Sequence, residues 1–170
     1  AAQRTGEAEG GIGRLRDVTG LPDAVRRYVK AVDACRRQHG PQSYPGSPWL
    51  LAHGLRDRDR IACCELQPEE AAALKANFAD DERVAVHARD GYAALRGLLP
   101  PRVGGERFGR GLVLIDPPFE KQLDEYDDAL PAIRDALGRW PQGIFALWYP
   151  IKQRRALTPV YRRFATLPAK

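Results

Sequence analysis

The chain has 170 residues, 44% of them hydrophobic, enough for one domain with a sizeable core. No apolar run reaches the ~18 residues of a membrane span, and no signal-peptide pattern opens the sequence. A net charge of +5 hints at a polyanionic partner. Cys35, Cys63 and Cys64 are an odd count without a C-x-x-C, which suggests neither a disulfide framework nor a zinc site. The expectation is a cytoplasmic, metal-free, monomeric protein with no membrane association.

The first 17 residues are rich in Gly, Glu and Arg and carry little hydrophobic period. Gly11-Ile12-Gly13 is formally G-x-G, but charged residues precede it where a strand is needed, so a nicotinamide-dependent oxidoreductase is disfavoured. From Pro22 to about Gln38 the pattern is helical. Val25, Tyr28, Val32 and Cys35 share a stripe, and Arg26, Lys30 and Arg37 fall opposite. That basic face suits phosphates or simply water. In Tyr44-Pro45-Gly46-Ser47-Pro48, Ser47 reads as an N-cap and Pro48 as the first helical residue. A helix start with a serine hydroxyl favours a polar or anionic ligand group, although capping alone accounts for it.

Arg60 to Cys64 reads as a short buried strand ending at Glu65. An acid at that end is placed to accept both ribose hydroxyls of a nucleotide-like cofactor. Gln67-Pro68-Glu69-Glu70 opens a helix with Ala71, Leu74 and Phe78 inward, and Arg83 to Ala88 is a further strand ending at Asp90-Gly91. Asp90 can meet an adenine amino group, and Gly91 lets the backbone come close. Tyr92, Leu95, Leu98 and Leu99 follow at helical spacing, closed by Pro100-Pro101. Pro100 to Arg110 reads as a Gly/Arg/Pro loop.

The stretch around which the chain is organised is Gly111-Leu112-Val113-Leu114-Ile115-Asp116-Pro117-Pro118-Phe119. Its apolar run reads as a central strand buried on both faces, stopped by two prolines that cannot continue a ladder. The carboxylate of Asp116 and the Pro117 carbonyl are acceptors suited to an exocyclic amino group, with Pro118 holding the turn. Phe119 offers a flat face for a ring. A strand ending in an Asp-Pro turn is the structural alternative. Tyr126, Leu130, Ile133, Leu137 and Trp140 step by four and three as an amphipathic helix, in which Pro131 predicts a kink or a break. Gly143 to Tyr149 reads as one more buried strand, ended by Pro150. Lys152, Arg154, Arg155, Arg162 and Arg163 then crowd the tail.

The Asp-Pro-Pro-aromatic pattern resembles the catalytic motif of amino-group methyltransferases that use S-adenosylmethionine. Together, YPGSP, CCELQP, HARDGYAAL, GLVLIDPPFE and ALWYP resemble the 23S ribosomal RNA adenine-N6-methyltransferases of the J type. That resemblance implies a Rossmann-like α/β fold, S-adenosylmethionine as cofactor, and methylation of one adenine amino group in 23S ribosomal RNA. It implies a helical insertion, matched by Ala8 to Gly40, so that residues 1–43 form an insertion subdomain and 44–170 a partial methyltransferase domain. By motif, Ser47, Glu65, Asp90 and Gly91 resemble cofactor contacts, Asp116 the catalytic acceptor, and Pro117, Pro118 and Phe119 the substrate clamp. Proteins of this group are also labelled as involved in the use of external DNA as a nutrient. The alternatives are therefore a DNA adenine methyltransferase or a non-catalytic nucleic-acid-binding protein serving DNA use.

Two departures from the family pattern stand out. Phe119 replaces the usual tyrosine, keeping the ring and losing the hydroxyl. The family's first strand, with its Gly-rich cofactor loop, and its last strands have no counterpart here. In the order 3-2-1-4-5 the first strand lies between those ending at Glu65 and Asp116. The expectation is a fragment, inactive in isolation.

Overall fold

The computed structural model describes residues 11–15, 17–118, 122–151 and 154–168. Phe119 and Lys152 lie outside the described residues. In chain order come a 3-10 helix Ile12–Leu15, α1 (Asp23–His39), α2 (Ser47–His53), β1 (Ile61–Glu65), α3 (Pro68–Asn77), β2 (Val84–Ala88) and α4 (Gly91–Leu98). There follow β3 (Arg102–Val103), β4 (Glu106–Arg107), β5 (Leu112–Ile115), α5 (Gln122–Arg139), β6 (Ile144–Leu147), a 3-10 helix Arg154–Leu157 and α6 (Thr158–Phe164). The chain is thus a mixed α/β protein, with every strand expected from the sequence present. It divides into two compact units: one runs to Ile61 and takes Asp81–Ala85, the other takes Ala62–Asp80 and the chain from Val86 onward.

In the first unit, α1 buries Ala31, Val32 and Cys35, half-buries Val25 and Tyr28, and exposes Arg26, Lys30 and Arg37. This is the stripe that the periodicity predicts. Pro22 is the N-cap rather than a residue of the first turn, and its carbonyl accepts from the Arg26 amide at 2.9 Å. The helix stops at Gly40, whose φ of 106° lies in a region that favours glycine. At α2 the expected cap shifts by one. Gly46, in extended conformation, is the N-cap and its carbonyl accepts from Leu50 at 3.1 Å, so Ser47 is the first helical residue and its hydroxyl makes no capping bond. Arg83 anchors the entry to β2: Nε and Nη2 donate to the two carboxylate oxygens of Asp81, each at 2.8 Å, and Nη1 donates to the Leu55 carbonyl at 3.2 Å.

The sheets are three two-stranded pairs among the described residues: β1 with β2, β3 with β4, and β5 with β6. Bonds from the Ile61 amide to the Arg83 carbonyl (2.8 Å) and from the Arg89 amide to the Glu65 carbonyl (2.9 Å) advance in the same sense, so β1 and β2 run parallel. β5 and β6 are parallel with Leu112 opposite Ile144 and Ile115 opposite Leu147. On one face, Val113, Ile115, Phe145 and Leu147 pack beneath Ile133, Ala136, Leu137 and Trp140 of the α5 segment. Further along, Tyr126 and Leu130 of α5 pack with Leu157 and Val160.

Two sequence expectations fail here. β5 is not buried on both faces: Leu112 is 55% exposed and Leu114 41%, beside Ile144 at 67%. Burial of a strand depends on what covers it, and no described element covers this face. Nor, of the predicted kink or break at Pro131, does the break occur: α5 is one continuous helix. Pro131 is exposed while Leu130 and Ile133 are buried. The carbonyl that loses its donor therefore lies on the solvated side, and the buried stripe keeps both halves in one helix.

Trp140 is 2% exposed and lies against two glycines. A Cβ on Gly111 would stand 2.6 Å from its ring and one on Gly143 2.5 Å. Both glycines, at the entrances to β5 and β6, are required by this close approach.

Candidate active site

Glu65 is the last residue of β1, and Asp90 stands two residues beyond β2. The Arg89–Glu65 bond joins these strand ends, so Glu65 and Asp90-Gly91 emerge at the same edge. Each acid is partly engaged. Glu65 Oε1 accepts from the Gln67 amide at 2.8 Å, shaping the turn into α3. Asp90 Oδ1 accepts from the Ala93 amide at 2.7 Å as the N-cap of α4. A carboxylate has about four acceptor positions, so each keeps capacity toward O–H and N–H donors. At Gly91 a Cβ would lie 3.9 Å from the Cys64 Cβ, an ordinary contact. Burial pushes the Cys63 and Cys64 thiols up, which favours their protonated form.

Asp116 follows β5 directly and is exposed, with Pro117 half-buried and Pro118 exposed. The Trp148 amide donates to the Ile115 carbonyl at 2.9 Å, carrying the ladder to the last residue before Asp116. There the strand stops, since Pro117 and Pro118 carry no amide hydrogen. Asp116 is thus an acceptor at the carboxyl end of a parallel pair, where ligands bind in α/β sheets. The expected ring contact from Phe119 lies outside the described residues. Ser47 belongs to the first unit and is exposed.

The structure brings Glu65 and Asp90-Gly91 to one sheet edge, and it sets Asp116 on another sheet. Tyr92 connects them. It follows Gly91 in α4, and its ring packs on the cluster of Ile115, Ile133 and Leu137, one residue from Asp116. The periodicity identified Tyr92 only as a packing residue. Its hydroxyl is buried without a hydrogen-bond partner among the described residues. Burial, reinforced by the charges of Glu125, Asp128 and Asp90, pushes its pKa up to about 12, so it stays a neutral donor.

A hairpin stands where the composition predicts a loop. Residues expected to be loop form β3 and β4 around Gly104-Gly105. Two glycines between two short extended stretches are a hairpin signal, and they were present to be read.

Comparison with known proteins gives a consistent set of matches. The family described as "RsmJ: Ribosomal RNA large subunit methyltransferase D, RlmJ" matches residues 1–169. "Ribosomal RNA large subunit methyltransferase J" of Haemophilus influenzae is 39% identical over 164 residues, covering 95% of this chain and 56% of that protein. The protein of the same name from Escherichia coli K12 is 36% identical over 156 residues, covering 92% and 54%. The crystal structure of protein LPL1258 from Legionella pneumophila superposes with a TM-score of 0.73 at 29% identity, covering 87% of this chain and 53% of that one. The chain therefore spans little more than half the length of these relatives.

Proposed function

This chain belongs to the RlmJ family of ribosomal RNA large subunit methyltransferases, and on that premise we propose that it carries the target-base site and part of the cofactor site of an S-adenosylmethionine-dependent adenine-N6-methyltransferase acting on 23S ribosomal RNA. The observation that carries this reading is the Asp116-Pro117-Pro118 segment at the carboxyl end of β5, with Asp116 exposed. In the proposed Rossmann-like sheet, β2, β1, β5 and β6 take positions 3, 2, 4 and 5 of the family order. No described strand stands at position 1, between β1 and β5. Residues 1–43 are read as the helical insertion and 44–170 as the partial methyltransferase domain.

The donor set fits S-adenosylmethionine. Glu65 suits its vicinal ribose hydroxyls and Asp90 its adenine amino group, because both are carboxylates with acceptor capacity to spare at one sheet edge. Gly91 would admit the adenine, and Ser47 supplies a hydroxyl by family resemblance. When bound, the cofactor supplies an electrophilic methyl group.

The chain's own residues prepare the nucleophile. The Asp116 carboxylate and the Pro117 carbonyl accept the two N–H bonds of the adenine amino group. This turns the nitrogen lone pair out of conjugation and fixes its direction. The target adenine leaves its stack to reach the turn, where Phe119 supplies the stacking face. As the nitrogen gains positive charge, the Asp116 charge stabilises it. The remaining contribution is positioning.

The test is transfer of labelled methyl to unmodified ribosomal RNA by the chain extended to the length of its relatives, followed by nucleoside analysis. N6-methyladenosine that disappears with Asp116→Ala supports the reading. Methylation of DNA in place of RNA would move the substrate class, and binding without transfer to either would leave a nucleic-acid-binding protein.

A further inference from the structure

The β3–β4 hairpin plays no part in the site around Asp116. Its register sets Arg102 directly opposite Arg107 and Val103 opposite Glu106. Gly104 and Gly105, at φ 58° and 89°, make the two-residue turn in conformations that favour glycine. All four paired residues are exposed. Alternation along the strands puts both arginines on one face of the ribbon and Glu106 on the other. Like charges directly opposite on one face destabilise a strand pair. Neither arginine has an ion-pair partner among the described residues. The hairpin thus keeps an unfavourable pairing that an anion between the two guanidinium groups would relieve.

Three residues after Arg107 comes Arg110. It lines a cleft of about 450 Å³ with Gly109, Gly111, Gln142 and Ile144. The two glycines leave backbone accessible, Gln142 offers an amide, and Ile144, 67% exposed, gives an apolar surface. This cleft opens at the amino ends of β5 and β6, so the length of β5, roughly 10–13 Å, separates it from Asp116.

We propose that this hairpin and cleft bind the sugar-phosphate backbone of the RNA away from the reacting base: Arg102 and Arg107 straddle one phosphodiester, and Arg110 with the glycine backbone takes the neighbouring nucleotide. The proposal rests on the reading of the substrate as RNA. Planar guanidinium groups match phosphate oxygens in pairs, which a carboxylate-bearing protein surface offers less densely. A contact of this kind sets affinity and register and takes no part in chemistry.

The experiment measures binding of the chain extended to the length of its relatives to an unmodified large-subunit ribosomal RNA transcript across a series of potassium chloride concentrations. Arg102→Gln/Arg107→Gln should flatten the slope of log affinity against log salt by about 0.7–0.9 for each phosphate that is no longer neutralised. Arg102→Lys/Arg107→Lys should keep the slope. The melting temperature of the glutamine pair should not fall, because a repulsion has been removed, and this separates a binding role from a structural one. A wild-type slope in the glutamine pair, absence of RNA binding by the wild-type chain, or equal loss of affinity for polyglutamate would each overturn the hairpin proposal. The reading of the active site is decided separately, by methyl transfer through Asp116, and survives those outcomes.

Discussion

The amide of Arg89 donates to the carbonyl oxygen of Glu65 over 2.9 Å, one residue beyond the end of β2. This bond aligns the two strand ends, and through them the carboxylates of Glu65 and Asp90. Neither acid is buried, and each also organises its own turn.

If Glu65 holds the ribose hydroxyls, Glu65→Ala should weaken S-adenosylmethionine binding by roughly 1.5–3 kcal/mol, the range for a hydrogen bond to a charged group. Glu65→Gln should lose less, since its amide oxygen still accepts both from a hydroxyl and from the Gln67 amide. Calorimetry on the chain extended to its relatives' length measures both. Unchanged affinity in the alanine variant would leave Glu65 as a turn-forming acid only.

If the Asp116 carboxylate serves the target amine, Asp116→Ala in the chain extended to its relatives' length should abolish methyl transfer while changing cofactor affinity far less. Asp116→Asn keeps an acceptor and loses the negative charge, so a residual rate should survive. Single-turnover kinetics separates the chemical step from binding. A wild-type rate in the alanine variant removes Asp116 from the mechanism.

The core makes a prediction of its own. Gly143→Ala places a methyl group 2.5 Å from the Trp140 ring, and Gly111→Ala one at 2.6 Å. The ring is 2% exposed and has little room to move. Overpacking of this kind costs about 1–3 kcal/mol. Urea denaturation should show that loss, and Trp140→Phe should recover part of it in a double variant. Gly138→Ala is the control, since nothing lies within 4 Å of a Cβ there. Wild-type stability in Gly143→Ala would mean that the tryptophan has room after all.

Much of this was legible because it depends on local chemistry. Two consecutive prolines after Asp116 must end a strand, and the stripe from Val25 to Cys35 must face a core. What was not legible depends on neighbours. Leu112 and Leu114 read as buried because apolar runs usually are, but burial is a property of the covering element. Pro131 read as a kink or a break because proline removes a hydrogen bond, yet packing around Leu130 and Ile133 decides whether the helix survives. Tyr92 was hidden differently: its spacing is that of any core residue, and only the fold puts its ring beside Ile115.

Acid should weaken the entry to β2. The Arg83 side chain, and then its backbone amide, hold the Asp81 carboxyl down at about 2, below its ordinary value of 3.8. A carboxyl depressed in the folded state contributes stability that is present above its unfolded value and lost as pH falls through its folded one. Asp81→Asn should therefore lower the melting temperature near neutral pH, and the gap to wild type should close between about pH 4 and pH 2. Asp59, held at about 2 by Arg56, should behave alike. A gap that stays constant over that range would assign the loss to geometry rather than charge.

The last prediction concerns the open face of the β5–β6 sheet. Parallel strands are normally covered on both faces. Here α5 covers one, and Leu112, Leu114 and Ile144 expose 55%, 41% and 67% of their surface on the other. Contiguous apolar surface of this kind drives association, and unpaired strand edges template it. In the proposed sheet, the position between β1 and β5 is also where the cofactor's amino-acid end would be held. The 170-residue chain made alone should therefore self-associate and show no measurable methyl transfer. A polypeptide that supplies the strand between β1 and β5, in cis or as a separate chain, should restore S-adenosylmethionine binding and transfer. Leu112→Thr/Ile144→Thr should raise the solubility of the isolated chain without unfolding it, and without rescuing activity. The deciding assay is labelled methyl incorporation into unmodified ribosomal RNA by the isolated chain. Robust turnover there would mean that the strands ending at Glu65 and Asp116 need nothing between them, and the proposed order of the sheet would fall.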